Sequence, residues 1–322
     1  MINRDFPLRK DQYGYRYVFF LGNEGGNCKY QCRFCEIGKS NAVDSAYNMM
    51  LFDYLYNDYK LKLHNDTAHP LLYNRGNITD EKAFSRKTLT YILNKFKSDS
   101  NICHLSINSR EKEVDTNFMD YILDINLSFP VHFILGQESF SSKTEEIIGK
   151  RTIKEFENLV KKISIYNNEI CMSNSKIYNF GIDVHLLFLP ELYIGNTNRK
   201  GYGGDIFIGL LKDIDDAINS STDTFPLTIN INPYYKVSAL PYENADMEQF
   251  LSFLPSISEH IHQINKNRRF KVSVFVGYRP MKTYDNLYNQ RITEFECVID
   301  GFNQKNKIER TIQQNLTIFA SS

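Results

Sequence analysis

Apolar runs rich in β-branched and aromatic residues alternate along most of the chain with amphipathic stretches of helical period. The runs are YRYVFFLG (15–22), PLLYNRG (70–76), ICHLSIN (102–108), VHFILGQES (131–139), FGIDVHLLFLP (180–190), FPLTININP (225–233) and FKVSVFVGY (270–278), each of strand length. Helical patterns between them include DEKAFSRKTLTYILNKFK (80–97), TIKEFENLVKKISIY (152–166) and ADMEQFLSFLPSISEHIHQI (245–264). Asp80 is the expected N-cap of the first, and Pro255 is expected to kink or split the last. Strand and helix in alternation predict parallel strands joined by helical crossovers, and so an α/β fold.

Several strands run directly into polar or glycine-containing loops, as in NRGNITD, NSREKE and GQESFSS. In an α/β barrel such loops, at the C-terminal ends of the strands, form the active face. His185 interrupts an apolar strand and reads as a satisfied barrel histidine or as a residue facing the cavity on the alternate positions. Asn230, Asn232, Tyr234 and Tyr235 can line a substrate pocket or simply pack the rim. Gly201, Gly203 and Gly204 lack the spacing of a phosphate-binding fingerprint and predict a lid or a plain surface loop.

Composition narrows the class. The 322 residues suit one large domain or two ordinary ones, and without repeats or a long linker a single domain is expected. Hydrophobic residues at 42% against charged residues at 24% indicate a substantial core. Lys plus Arg equals Asp plus Glu at 38 each, so charge gives no support to a large RNA partner. The basic clusters INKNRRFK and NQKNKIER read first as solvated helix ends or turns. No signal-peptide pattern opens the sequence and no apolar run approaches the ~20 residues of a membrane helix. A cytoplasmic setting is therefore expected, where clustered cysteines point to metal or redox chemistry before disulfides.

Three of the six cysteines fall in NCKYQCRFCEIGKS (27–40), in a loop that leaves the first strand through GNEGGN. Cys28, Cys32 and Cys35 are spaced C-x3-C-x2-C. A [4Fe–4S] cluster takes thiolate ligands at its four irons, so three close cysteines leave one iron open for a substrate or cofactor. Two other readings stand beside this: a zinc site completed by a distant residue, or three core thiols. Cys103, Cys171 and Cys297 are isolated and read as buried thiols.

With Phe34 just before its last cysteine, this motif after a first strand resembles the radical S-adenosylmethionine (radical SAM) superfamily. The resemblance covers residues 15 to 280 and implies an α/β fold, a partial (β/α)6 TIM-like barrel with a small C-terminal extension: core 1–280, extension 281–322. It also implies one [4Fe–4S] cluster on Cys28, Cys32 and Cys35, with S-adenosyl-L-methionine chelating the open iron. An electron donor such as flavodoxin or ferredoxin would drive cleavage to a 5′-deoxyadenosyl radical that abstracts a substrate hydrogen.

Arg75, Gly76 and Asn77 stand where the superfamily usually has Gly-Gly-Glu, a turn whose backbone carbonyls hold the SAM amino group; an ordinary turn with Gly76 supplying φ freedom is the alternative. LSINSREKEVD and FILGQESFSSKTEEIIGKRT resemble blocks of the Elongator catalytic-subunit/archaeosine-synthase branch. The matching positions are Ser109, Arg110, Glu111 in the first block and Gly136, Gln137, Glu138, Ser139, Gly149, Lys150 in the second; the proline of the first block is missing. By resemblance Arg110 would fork onto the SAM carboxylate, and Glu138, with Ser139 beside it, would meet the ribose hydroxyls or the amino group. The alternative is an ion pair of Arg110 with Glu138 or Glu111.

The lack of a second cysteine cluster argues against methylthiotransfer and auxiliary-cluster peptide modification. Relatives in that branch act on transfer RNA, whereas the neutral charge and short chain here favour a small-molecule or peptide substrate in a biosynthetic setting. A transfer-RNA-modifying enzyme with a partner for RNA affinity is one alternative; a non-catalytic protein with a structural metal is the other.

Overall fold

The computed structural model describes residues 8–30, 32, 41–150, 152–174, 180–188, 203–221, 223–233, 245–277 and 295–303. One sheet of eight strands, laid side by side in chain order, organises them. The strands are β1 (Arg9–Lys10), β2 (Tyr15–Leu21), β3 (Ala68–Asn74), β4 (Leu105–Asn108), β5 (Val131–Glu138), β6 (Phe180–Phe188), β7 (Leu227–Pro233) and β8 (Val272–Val276). β1 pairs antiparallel with β2, and every later pairing is parallel. Every apolar run identified in the sequence forms one of the parallel strands. Only β1 was not expected, because Arg9–Lys10 is too short and polar to carry a strand pattern.

Helices supply the crossovers: α1 (Ser45–Lys62), α2 (Arg86–Lys97), α3 (Thr116–Ile125), α4 (Ser142–Ile148), α5 (Ile153–Asn174), α6 (Gly203–Ser220) and α7 (Met247–Asn265). Local chemistry sets their starts. Asp44, Asp115 and Asp246 cap α1, α3 and α7 by accepting from the backbone amides of Tyr47, Phe118 and Gln249. The expected cap at Asp80 is corrected: α2 begins at Arg86 with Ser85 as its cap, and Asp80 instead accepts from Lys82 N in the loop (3.1 Å). α7 runs unbroken through Pro255. Gly203 and Gly204 open α6 rather than forming part of a loop; Gly201 lies outside the described residues.

Alternation along each strand separates two environments. One face carries Tyr17, Phe19, Leu21, Leu105, Ile107, Val131, Phe133, Ile182 and Val184, which join helix residues such as Phe52, Phe96, Phe118, Phe156 and Phe250 in a continuous core. Phe19 packs against Phe52 and Phe96 with ring centroids 5.3 and 5.2 Å apart, so its truncation to Ala should cost about 3–5 kcal/mol. The other face carries Arg16, His69, Ser106, His132, Asp183 and Asn230, all buried. Arg16 Nη1 donates to Asn230 Oδ1 (2.8 Å), and its guanidinium lies 4.0 Å from the centre of the Phe275 ring. β2 thus touches β7 and β8 although β3 to β6 lie between them in the sheet, so the sheet is curled with its polar face inward. This is the partial TIM-like barrel.

A helix at 295–303, α8, bridges the two edges. Asn303 pairs with the backbone of Val276 on β8, accepting at 2.8 Å and donating at 3.3 Å, which blunts an edge open to pairing. Arg9 on β1 lies 3.9 Å from Glu296 and 3.8 Å from Asp300 of the same helix. Among the described residues no helix is long and apolar enough to cross a membrane.

A candidate cofactor site at the C-terminal ends of the strands

The loop after β2 is pinned by one carboxylate. Glu24 accepts from Thr88 Oγ1 (2.7 Å), Ser45 Oγ (2.9 Å), Ser85 N (3.0 Å) and Asn48 Nδ2 (3.1 Å). Ser45 opens α1 and Ser85 caps α2, so Glu24 serves two helix N-termini, where the macrodipole favours negative charge. Burial pushes its carboxyl upward, but the hydrogen bonds from Thr88, Asn48 and Ser85 outweigh that and hold it below its ordinary range.

Beyond Glu24 come the cysteines. Cys28 and Cys32 are half-buried, while Cys35 and Phe34 lie outside the described residues. Lys29 and Tyr30, between the first two cysteines, tie this loop to its neighbours. Lys29 Nζ pairs with Asp80 Oδ2 (2.7 Å) and with Glu113, and Tyr30 Oη donates to Glu113 Oε1 (3.3 Å). Burial works against the Lys29 charge, but Asp80 and Glu113 outweigh it and raise the ammonium's pKa. Arg110 stacks on the Tyr30 ring with its guanidinium 4.2 Å from the centroid. The loops after β3 and β4 therefore hold the cysteine loop in place.

Cys28 borders a cleft of ≈ 160 Å³ with Asn23, Gly25, Tyr30, Gly76 and Asn77 among its walls. Space, not dihedral freedom, requires these glycines. A Cβ on Gly76 would lie 2.4 Å from Asn23 Nδ2, and one on Gly25 would lie 2.4 Å from the Lys82 carbonyl oxygen; neither glycine has a positive φ. The alternative in which Gly76 serves by φ freedom is thus not seen, and its place is taken by close approach. Asn77 Oδ1 accepts from Thr79 N and Oγ1 (3.2 and 2.8 Å), while its buried Nδ2 has no hydrogen-bond partner among the described residues. The Arg75 carbonyl accepts from Asn23 Nδ2 (3.4 Å).

At the ends of β4 and β5 neither ion pair offered as the alternative for Arg110 is formed. Arg110 pairs with Glu155 (Nε to Oε2, 3.4 Å), Glu111 with Lys162 (2.7 Å), and Glu138 with Lys150 (2.8 Å). Glu138 sits at φ 67°, in the left-handed region that favours glycine, beside a register shift between Gly136 and Glu138. Gly149, at φ 67°, ends α4 and turns Lys150 back toward Glu138 and the Gly136 carbonyl. Ser139 is engaged internally: its hydroxyl donates to Asp213 Oδ1 (3.2 Å) on α6. Ser109 likewise donates to the Ile134 carbonyl (3.0 Å). The structure therefore brings Cys28, Gly76 and Asn77 to one cleft, with Arg110 stacked on Tyr30 at its wall; Arg75, Glu138 and Ser139 are not among the residues lining it.

His185 is half-buried inside the barrel, near Tyr73 Oη (3.5 Å) and Asn232 Nδ2 (3.4 Å); burial and the Arg16 charge push it down to about 3, so it is neutral. Tyr234 and Tyr235 lie outside the described residues. Cys297 is exposed and Cys103 only half-buried, correcting the expectation of buried thiols; the Cys103 thiol donates to the Tyr13 carbonyl. The side chain of Cys171 lies outside the described residues. Sequence reading missed Asp11, Tyr13, Arg16, His69, His104, His132 and Asp183, which gather inside the barrel at the other end of the strands. The available signal was a polar residue at alternate positions of apolar runs, as in His132 of VHFIL and Asp183 of GIDVH.

No family model matches the chain. An uncharacterized protein of Methanocaldococcus jannaschii is 23% identical over 286 residues, covering 83% of this chain and 67% of that protein. In structure, SuiB of Streptococcus suis is similar over 90% of this chain (TM-score 0.45, 12% identity, 52% of the SuiB chain). SuiB bound to S-adenosylmethionine is similar over 84% of this chain (TM-score 0.45, 14% identity, 51% of that chain). A radical SAM methyltransferase from Sphaerobacter thermophilus is similar over 81% (TM-score 0.43, 9% identity, 66% of that chain). The chain spans about half the length of the SuiB chains.

Proposed function

We propose that the chain is a radical SAM enzyme, nearest in its motifs to the Elongator catalytic-subunit/archaeosine-synthase branch, acting on a small molecule or peptide. The observation that carries this reading is the cleft in which Cys28, at the C-terminal end of the first parallel strand, faces the Gly76–Asn77 turn after the second. The residues fit the implied group: Cys28 and Cys32 lie on a loop clamped by Asp80, Arg110 and Glu113, and Cys35 follows at the motif's spacing. A [4Fe–4S] cluster with S-adenosyl-L-methionine on its open iron would supply one-electron cleavage to a 5′-deoxyadenosyl radical.

The chain's own residues bind and orient. Gly76 lets the turn approach with its backbone, and the spare Nδ2 of Asn77 offers a donor in the cleft wall. Arg110 holds the cysteine loop through the Tyr30 ring and, paired with Glu155, is the cation proposed for the SAM carboxylate. Glu138, at a left-handed φ and paired with Lys150, is the acceptor proposed for ribose or amino groups. The balanced charge of the chain favours a substrate other than transfer RNA. A core over 1–280 with an extension over 281–322, and a flavodoxin or ferredoxin donor, belong to the same proposal.

The test is 5′-deoxyadenosine formation from SAM by anaerobically reconstituted, dithionite-reduced protein, with Cys32→Ala as control. Cysteine-dependent product is expected. A fully loaded cluster giving no product above the control, with candidate substrates present, would count against the assignment.

A further inference from the structure

The inner face of the barrel carries a second constellation at the N-terminal ends of the strands. His104 immediately precedes β4, His132 is the second residue of β5, and Asp183 stands in the first half of β6. We propose that His104, His132 and Asp183 form a metal site for one divalent ion of borderline softness, with Zn²⁺ the best match to two imidazoles and a carboxylate.

Geometry supports it first. One ligand atom from each residue can be chosen so that all lie within 4.8 Å of one another, and all three residues are 0% exposed. The His104 and His132 rings meet edge to face with centroids 4.1 Å apart, and His132 Nδ1 lies 2.8 Å from Asp183 Oδ1.

Hydrogen-bond accounting supports it independently. Both ring nitrogens of His104, and Nε2 of His132, are buried with no hydrogen-bond partner among the described residues. Such groups are costly to bury unmet, and a buried imidazole nitrogen without a partner is open to a metal ion. His69, in the same cluster, is satisfied at both nitrogens, by Asp11 Oδ2 (2.6 Å) and Ser106 Oγ (2.7 Å). The contrast singles out His104, whereas His132 would ligate through Nδ1, the nitrogen that faces Asp183 Oδ1 at 2.8 Å.

The surroundings are those of an oriented site. Ser106 donates its hydroxyl to Asp183 Oδ2, so Asp11, His69, Ser106 and Asp183 form one chain that fixes the carboxylate. Tyr13 stacks on His104 with centroids 3.7 Å apart and planes 3° apart, closing that end. A Cβ on Gly181 would lie 2.3 Å from His132 Nε2, so only glycine leaves that ring its place. Nothing here depends on the cysteine loop.

The experiment uses the full chain with Cys28, Cys32 and Cys35 all changed to Ala, produced with Co²⁺ or Zn²⁺ and then dialysed. A single retained equivalent is expected, with a Co²⁺ spectrum showing nitrogen and oxygen ligation and no thiolate charge transfer. Adding His104→Gln should abolish retention. Ser106→Ala should keep the site but weaken it by ~10–100-fold in chelator competition. A folded triple-cysteine variant that retains no metal overturns the proposal, as does retention unchanged by His104→Gln. Should His104→Gln fail to fold, unchanged affinity in Ser106→Ala overturns it instead.

Discussion

Lys150 reaches Glu138 across Gly136: Nζ lies 2.8 Å from Oε1, and a Cβ on the glycine would sit 2.7 Å from both atoms. Both side chains are nearly buried, so neither charge has water as a substitute partner. Lys150→Met should therefore destabilise the protein by about 3–5 kcal/mol in urea unfolding, the cost of leaving one charge of a buried pair alone. A loss under about 1 kcal/mol would mean that Glu138 is met by another group.

Gly25→Ala should damage cofactor loading more than folding. The added Cβ would meet a backbone carbonyl, that of Lys82, at 2.4 Å, so the cysteine loop or the loop after β3 must move. The expected stability loss is about 1–3 kcal/mol. Iron and sulfide content after reconstitution should fall well below wild type while circular dichroism remains native; normal loading would show that the loop tolerates the shift.

Glu24 should contribute to acid sensitivity with a defined sign. Its carboxyl is held below the ordinary range in the fold, so its contribution is complete above about pH 4.3, the unperturbed value, and is lost as pH falls through the lower folded value. Glu24→Gln should cost about 1–3 kcal/mol at neutral pH, and the gap to wild type should shrink under acid. Stability curves that stay parallel down to acid denaturation would contradict this.

Tyr30→Leu removes the stacking partner of Arg110. A loss of about 0.5–2 kcal/mol is expected, confined to the cysteine loop. Hydrogen exchange should accelerate at amides 23–30 and stay unchanged in β5 and β6. Equal acceleration everywhere would make Tyr30 a global rather than a local clamp.

The strands were legible because their outward faces are so apolar: Phe19, Phe133 and Ile182 announce them without help from context. The start of α2 was not, because Asp80 and Ser85 are both good caps, and Ser85 has Glu24 to receive its backbone amide while Asp80 is drawn to Lys29. The position of Cys28 in a loop after the first parallel strand was legible from the order of the apolar runs. The clamp on that loop was not, because Arg110, Glu113 and Asp80 reach it from other loops, a relation local patterns do not carry. The histidine cluster was hidden for a similar reason: each member is one polar residue in or beside a short strand, and only the parallel pairing of β3, β4 and β5 makes them neighbours.

The contact of Arg16 with Asn230 also bears on how the protein is made. The two residues are 214 apart, so at ~5–20 residues per second a ribosome takes roughly 10–40 s between them. Throughout that interval the inward guanidinium of β2 lacks its amide acceptor and its Phe275 ring. Completion of the inner face is therefore a late event of synthesis, and a nascent chain stopped before β7 holds a strand whose charge has no finished interior to enter.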